Sequence, residues 1–186
     1  RLMSKILVDT IDTRSGTSNI TIGSSNASQI TLKSGATLTN FPEQTPAWFA
    51  ALPAGGQSVA NGSGTKLALT REDLDTNSAY DTSNYRFTVP SGHAGKYWIT
   101  LGCGQQGWSS VRFEAQLHKN GSSVFLCEQN TSGTSYATTN GSCVLDLSVD
   151  DYLELYLYHN NGSTQTVRGS NTELFTYFGG YKLIGV

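Results

Sequence analysis

A chain of 186 residues has room for one sizeable domain and an appendage, and is short for two full domains. Charged residues make up only 14% of it and the net charge is −2, so no basic field exists for a phosphate backbone and nucleic acid is not expected as a partner. No apolar run reaches the roughly 18–20 residues that span a bilayer, and no secretory pattern is read around Met3. Membrane insertion and export by a signal peptide are therefore not expected.

Residues 3–44 read as a stalk. Ser18-Asn19-Ile20-Thr21-Ile22 aligns with Ser28-Gln29-Ile30-Thr31-Leu32 ten residues on, and Ala36-Thr37-Leu38-Thr39 continues the alternation. Each short strand carries too few apolar side chains to offset backbone ordering, which costs roughly 1–2 kcal/mol per residue. Such strands need sister chains. An intertwined β-rich stalk is expected, with Ile20, Ile22, Ile30, Leu32 and Leu38 facing a shared axis. Pro42 and Pro46 then break the ladder, placing a boundary before a head at 45–186.

The head has no helix-period pattern. Asn61-Gly62, Ser91-Gly92, Asn120-Gly121, Asn140-Gly141 and Asn161-Gly162 are read as turns, and Asn-x-Ser/Thr triplets at four of them are read the same way, not as glycan acceptors. Between them Tyr97, Ile99 and Leu101 share one parity, and Phe113, Ala115 and Leu117 alternate with Arg112, Glu114, Gln116 and His118. Leu145, Leu147 and Val149 alternate likewise with Asp146, Ser148 and Asp150. This is the pattern of an all-β, antiparallel jelly-roll sandwich. In 152–158 three leucines form one face and Tyr152, Tyr156 and Tyr158 the other, beside Glu154. A tyrosine face opposite an aliphatic one suits a subunit interface, and these tyrosines are the expected interface in the head.

No catalytic set is legible. His93, His118 and His159 lack zinc spacing, and His118 is read on a solvated face. Gly92-His93-Ala94-Gly95-Lys96 is too short for a phosphate loop and precedes a strand. Ser63 has no strand-to-helix context for a nucleophile. Cys103, Cys127 and Cys143 form an odd set, read as buried free thiols. Asp150-Asp151, or Glu72-Asp73 with Asp75, could join a calcium shell, but neither motif supplies six to eight oxygens by itself. No cofactor or metal is assigned.

Pro46-Ala47-Trp48-Phe49-Ala50-Ala51, Asp81 through Tyr85-Arg86-Phe87 to Pro90, Gly95 to Leu101 and Phe178 to Tyr181 resemble, in this order, segments of the complement 1q globular head, of the tumour-necrosis-factor-like jelly-roll superfamily. The first looks like that family's first strand, and the second is similar to its acid, turn, aromatic and proline stretch. Gly95-Lys96-Tyr97-Trp98-Ile99-Thr100-Leu101 matches Gly-x-Tyr-x-aromatic-x-aromatic with Ile99 and Leu101 in place of the two aromatics. Phe178, Gly180 and Tyr181 fall on the closing Phe-x-Gly-aromatic strand. Met3-Ser4-Lys5-Ile6-Leu7-Val8-Asp9-Thr10-Ile11, Ile20-Thr21-Ile22-Gly23 and Lys33-Ser34-Gly35-Ala36-Thr37-Leu38-Thr39-Asn40 in the stalk resemble N-terminal segments of bacteriophage fibre and appendage proteins. The resemblance implies a homotrimer, synthesised in the host cytoplasm and carried on the virion, held to other virion proteins by its stalk.

The expected function is adsorption of the head to a host surface glycan or protein, without catalysis. A capsid decoration or head-fibre protein is the alternative; a secreted complement-like ligand and a small glycan hydrolase fit less well. Loops carry recognition because they tolerate variation. The receptor-binding candidates are Gln105, Gln106 and Trp108 in 103–110, with Gln129, Asn130 and Tyr136 in 128–140. An exposed aromatic beside amides could stack on a sugar ring while the amides read its hydroxyls.

Overall fold

The computed structural model describes residues 46–109, 111–132 and 135–183. The chain divides into two units, Arg1–Asn40 and Phe41–Val186, and all described residues belong to the second. The expectations for 3–44, including Ile20, Ile22, Ile30, Leu32 and Leu38, lie outside the described residues.

The strands in chain order are β1 (Ala47–Ala51), β2 (Gln57–Val59), β3 (Thr65–Lys66), β4 (Arg71–Asp75), β5 (Tyr80–Asp81), β6 (Arg86–Thr88) and β7 (Gly95–Trp108). There follow β8 (Val111–Lys119), β9 (Ser122–Thr131), β10 (Ser135–Leu147), β11 (Tyr152–His159), β12 (Gln165–Val167) and β13 (Tyr177–Lys182). The first sheet runs β2-β12-β7-β13-β1-β4, with β10 on the other side of β7; the second runs β5-β6-β11-β8-β9, with β3 also on β11. All pairings are antiparallel. The head is a two-layered sandwich built as the alternation requires.

Side chains of one parity from each sheet meet in the middle. Tyr97, Ile99 and Leu101 of β7 face Phe113, Ala115 and Leu117 of β8 and Leu153, Leu155 and Leu157 of β11, all buried in one cluster. At one end Trp48 stacks on Phe87 with ring centres 3.6 Å apart, bridging the layers, and Phe178 meets the indole edge-on. Removing a buried aromatic of this size typically costs about 3–5 kcal/mol. The segments read as family-like thus supply the core: Trp48 meets Phe87, Tyr97 and Phe178, and Phe87 also meets Tyr97.

Asn120-Gly121 is the hairpin turn between β8 and β9, with φ of 51° and 81°, the left-handed pair that such a two-residue turn demands. Asn140-Gly141 is not a turn. Both residues lie inside β10, paired with Gly102 and Leu101. The glycine is needed because a Cβ there would collide with the Cys127 sulfur and the Phe125 ring of β9, where the two layers close on each other. A local turn signal was overridden by a tertiary contact.

Candidate binding surfaces

The outer face of the second sheet carries the tyrosines of β11. Tyr152 lies under the Arg86 guanidinium, 4.9 Å from its ring centre, and Tyr158 lies near that of Arg112 at 5.9 Å. Tyr156 stacks on His118 of the neighbouring β8, ring centres 4.1 Å apart. Between them Glu154, whose side chain is only 7% exposed, pairs with Lys66 of β3. Arg112 bridges Glu114 and Glu128, and Gln116 donates to Glu114. Burial and the Glu154 charge push the Tyr156 phenol up from its usual range, and burial pulls the His118 imidazole down despite Glu154 nearby. The cover expected from a sister chain over Tyr152, Tyr156 and Tyr158 is largely supplied within the chain. His118 is half-buried in that cover, not on an open polar face.

The outer face of the first sheet is different. Phe49 of β1, Trp98 of β7 and Tyr177 and Tyr181 of β13 lie on it in adjoining rows; Phe49 stacks on Tyr177 at 5.5 Å and Trp98 meets Tyr181 at 5.4 Å. Gly102 and Gly179 sit beneath the Tyr177 and Phe49 rings, which lie close on the backbone. Leu74 and Val144 extend the face, exposed by 47% and 52%. Tyr181 is 44% exposed. No cation among the described residues stacks on these four rings, and the exposed Lys96–Asp146 pair lies beside the face near the start of β7.

The receptor-binding candidates lie at the loop end of the head and do not share one exposed surface. Gln105 and Trp108 are 0% and 2% exposed, so neither can meet a receptor directly. The Gln105 carboxamide oxygen accepts from the Trp108 backbone N–H, closing the turn at Gly107, and the indole N–H donates to the Thr166 carbonyl. The indole ring itself packs on Phe113 and His159. Both residues shape the loop from below. Gln106, between them, is exposed and pairs with Tyr136 at the start of β10. Gln129 and Asn130 are exposed on β9 of the other sheet, where Asn130 donates to Glu128.

Gln106 borders a pocket of about 470 Å³ that sequence reading did not find. Its walls include Gly55, Gly56, Gly107, Arg168 and Phe175. A Cβ at Gly56 would strike the Val167 carbonyl, so glycine there lets the wall close on β12. The Arg168 guanidinium lies 3.5 Å from the Phe175 ring centre and 4.8 Å from that of Tyr136, which is 64% exposed. Arg168 and Phe175 follow β12 in turns with no periodic pattern, so only the folded chain brings them to Tyr136. This end is remote from Pro46: the Pro46 carbonyl accepts from Lys182, which pairs with Tyr97 near the start of β7. Tyr97 and Trp108 are separated by roughly 35 Å of strand.

Three of the acids considered for a cation shell already have partners. Asp75 accepts from the backbone of Asn77, Ala79 and Tyr80, and Asp73 pairs with Arg71. Asp151 pairs with Lys119 and accepts from Asn120. Among the described residues no three His, Cys, Asp or Glu side chains are grouped to hold a metal. Cys103 is buried and its thiol is pushed up by burial; Cys127 and Cys143 are half-buried, and all three are free. Among the described residues no helix is long and apolar enough to cross a membrane.

No protein-family model matches the chain. It is 28% identical over 135 residues to the phage-like element PBSX protein XkdV of Bacillus subtilis (strain 168), and 26% identical over 112 residues to the uncharacterized protein YqcC of the same strain. These matches take in 67% and 56% of this chain but only 19% and 30% of the relatives. The chain therefore spans well under half of either. Among solved structures, murine APRIL aligns with a TM-score of 0.56 at 13% identity, covering 75% of this chain and 100% of that one. The globular domain of zebrafish complement 1qA gives 0.53 at 15%, covering 75% and 97%. Eiger TNF from S. frugiperda gives 0.57 at 11%, covering 76% and 94%. At such identities the likeness is one of fold, and by fold the head is a jelly roll of the tumour necrosis factor and complement 1q type.

Proposed function

We propose that this chain is a bacteriophage virion structural protein, a homotrimeric fibre or tail appendage whose head adsorbs to the host surface without turning anything over. The relation to a phage-like element protein supports the virion reading, and the fold supports a binding or structural role over an enzymatic one. The observation that carries the assembly is the uncovered aromatic face of the first sheet. Phe49, Trp98, Tyr177 and Tyr181 with Leu74 and Val144 form a contiguous apolar surface of a kind that monomers rarely leave in water. Copies of the same head are its proposed occupants. Closed symmetry lets every copy bury the same surface, and interfaces of this class bury roughly 2,000–5,000 Å². The interface expected at Tyr152, Tyr156 and Tyr158 is accordingly moved to the opposite sheet. The N-terminal stalk would hold the trimer to other virion proteins.

Light scattering on the full chain should give three chain masses at micromolar concentration; a monomer overturns the proposal. Immunolabelled virions examined by electron microscopy should carry the label on tail fibres or the tail tip. Label spread over the capsid shell would replace adsorption with a decoration role.

A further inference from the structure

We propose that the pocket beside Arg168 takes an anionic group, a carboxylate or phosphate borne by an envelope polysaccharide. The inference rests on the adsorption reading above and gives it a chemistry. Two other arginines show what an arginine does here when acids are in reach: Arg71 meets Asp73 and two backbone carbonyls, and Arg112 meets Glu114 and Glu128; Arg86 lies over the Tyr152 ring but lines no pocket described above. Arg168 has no hydrogen-bonded or ion-paired side-chain partner among the described residues. Instead its guanidinium packs against the Phe175 and Tyr136 rings. Aromatic contacts fix the orientation of the plane and leave the N–H edges, which are the groups that recognise carboxylate and phosphate in a bidentate manner.

The surroundings suit an anion on a sugar. No Asp or Glu is among the described residues lining the pocket, so nothing there competes for the cation. Gly55, Gly56 and Gly107 present backbone without side chains, allowing close approach, and the exposed Gln106 amide and Thr166 stand at the rim for hydroxyls. The frame is preformed: Arg168 N–H donates to the Gly104 carbonyl, Ser170 N–H to Leu52, and the Trp108 indole to Thr166. A volume of about 470 Å³ fits a group the size of one or two sugar residues, within the few-hundred-Å³ range usual for ligand pockets, roughly 300–1,000 Å³.

Calorimetric titration of the full chain tests this with four probes: inorganic phosphate, a poly(glycerol phosphate) oligomer, a polygalacturonate oligomer and a neutral chitooligosaccharide. At least one anionic oligomer should bind once per head while the neutral one does not, and the responding anion identifies phosphate or carboxylate as the source. Arg168→Gln should weaken that binding about tenfold or more, as expected for loss of a charge-assisted contact, without lowering the melting temperature. Arg168→Lys keeps the charge and should fall between; it serves also if the glutamine variant folds poorly. Wild-type protein that binds neither anionic oligomer, or an Arg168→Gln variant that binds as well as wild type, overturns the inference. Host-cell adsorption separates the two levels. Equal adsorption by wild type and Arg168→Gln overturns the pocket and leaves the adsorption reading standing. Anionic binding by a wild-type head that does not adsorb to cells supports the pocket and overturns adsorption.

Discussion

The two outer faces of the sandwich are both rich in aromatic rings, and they differ in what lies over those rings. On the second sheet Tyr152, Tyr156 and Tyr158 are met by Arg86, His118 and Arg112, and Glu154 is closed off by Lys66. On the first sheet Phe49 stacks on Tyr177 and Trp98 meets Tyr181, and no cation among the described residues lies over these rings. Counting aromatics therefore does not locate an interface. The cross-strand neighbours decide, because a ring under a guanidinium already has a partner and a hydrated edge, whereas rings that touch only rings still present apolar area to water.

This contrast predicts that the two faces fail differently. Lys66→Met keeps the aliphatic stem but leaves the nearly buried Glu154 without its cation. Because Lys66 itself is partly exposed, the loss should be about 1–2 kcal/mol, below that of a fully buried pair. Calorimetry should show a fall in melting temperature of several degrees, while light scattering shows unchanged mass. A drop in mass at constant melting temperature would place the second sheet in the interface after all.

A smaller effect is expected from pH. Burial lowers the folded-state pKa of His118, with Glu154 and the Gly121 backbone opposing it. The unfolded chain then takes up the proton first, so stability present above the ordinary histidine value, roughly 6.5, declines as pH falls through it towards the folded value. Wild-type melting temperature should drop slightly more than that of His118→Gln between neutral and mildly acid pH, with trimer mass unaffected. Identical pH profiles would show that the imidazole over Tyr156 is not part of the cover.

How much of this was legible follows from where each signal sits. Strands with one clean parity, such as Tyr97-Ile99-Leu101 and Phe113-Ala115-Leu117, announced the sandwich, since side chains alternate along any strand. Tyr152, Tyr156 and Tyr158 stand out because one strand carries them all; Arg86, His118 and Arg112, which meet their rings, come from two other strands, β6 and β8. The free face was present in another form. Trp48-Phe49, Tyr97-Trp98 and Tyr177-Phe178 are adjacent aromatic pairs within strands, so one ring of each must point outward. In each pair one member is buried, and the other lies on the outer face. Trp108 and Gln105 misled for the converse reason: a glycine-flanked Trp-and-amide loop resembles a recognition loop, yet Gly107 lets the chain turn so that the indole is tucked inside. The Arg168 pocket had no local signal, because the turns after β12 carry it to a ring on β10.

The central claim is that copies of the head meet through the first sheet. It is tested most directly by sedimentation of Trp98→Asp and Tyr156→Asp, each placing a carboxylate at an aromatic position on one of the two faces. Burying an unpaired charge in an interface costs several kcal/mol. Trp98→Asp should therefore sediment as a folded monomer at concentrations where Tyr156→Asp remains a trimer. The reverse outcome, a trimeric Trp98→Asp with a monomeric Tyr156→Asp, would contradict the account.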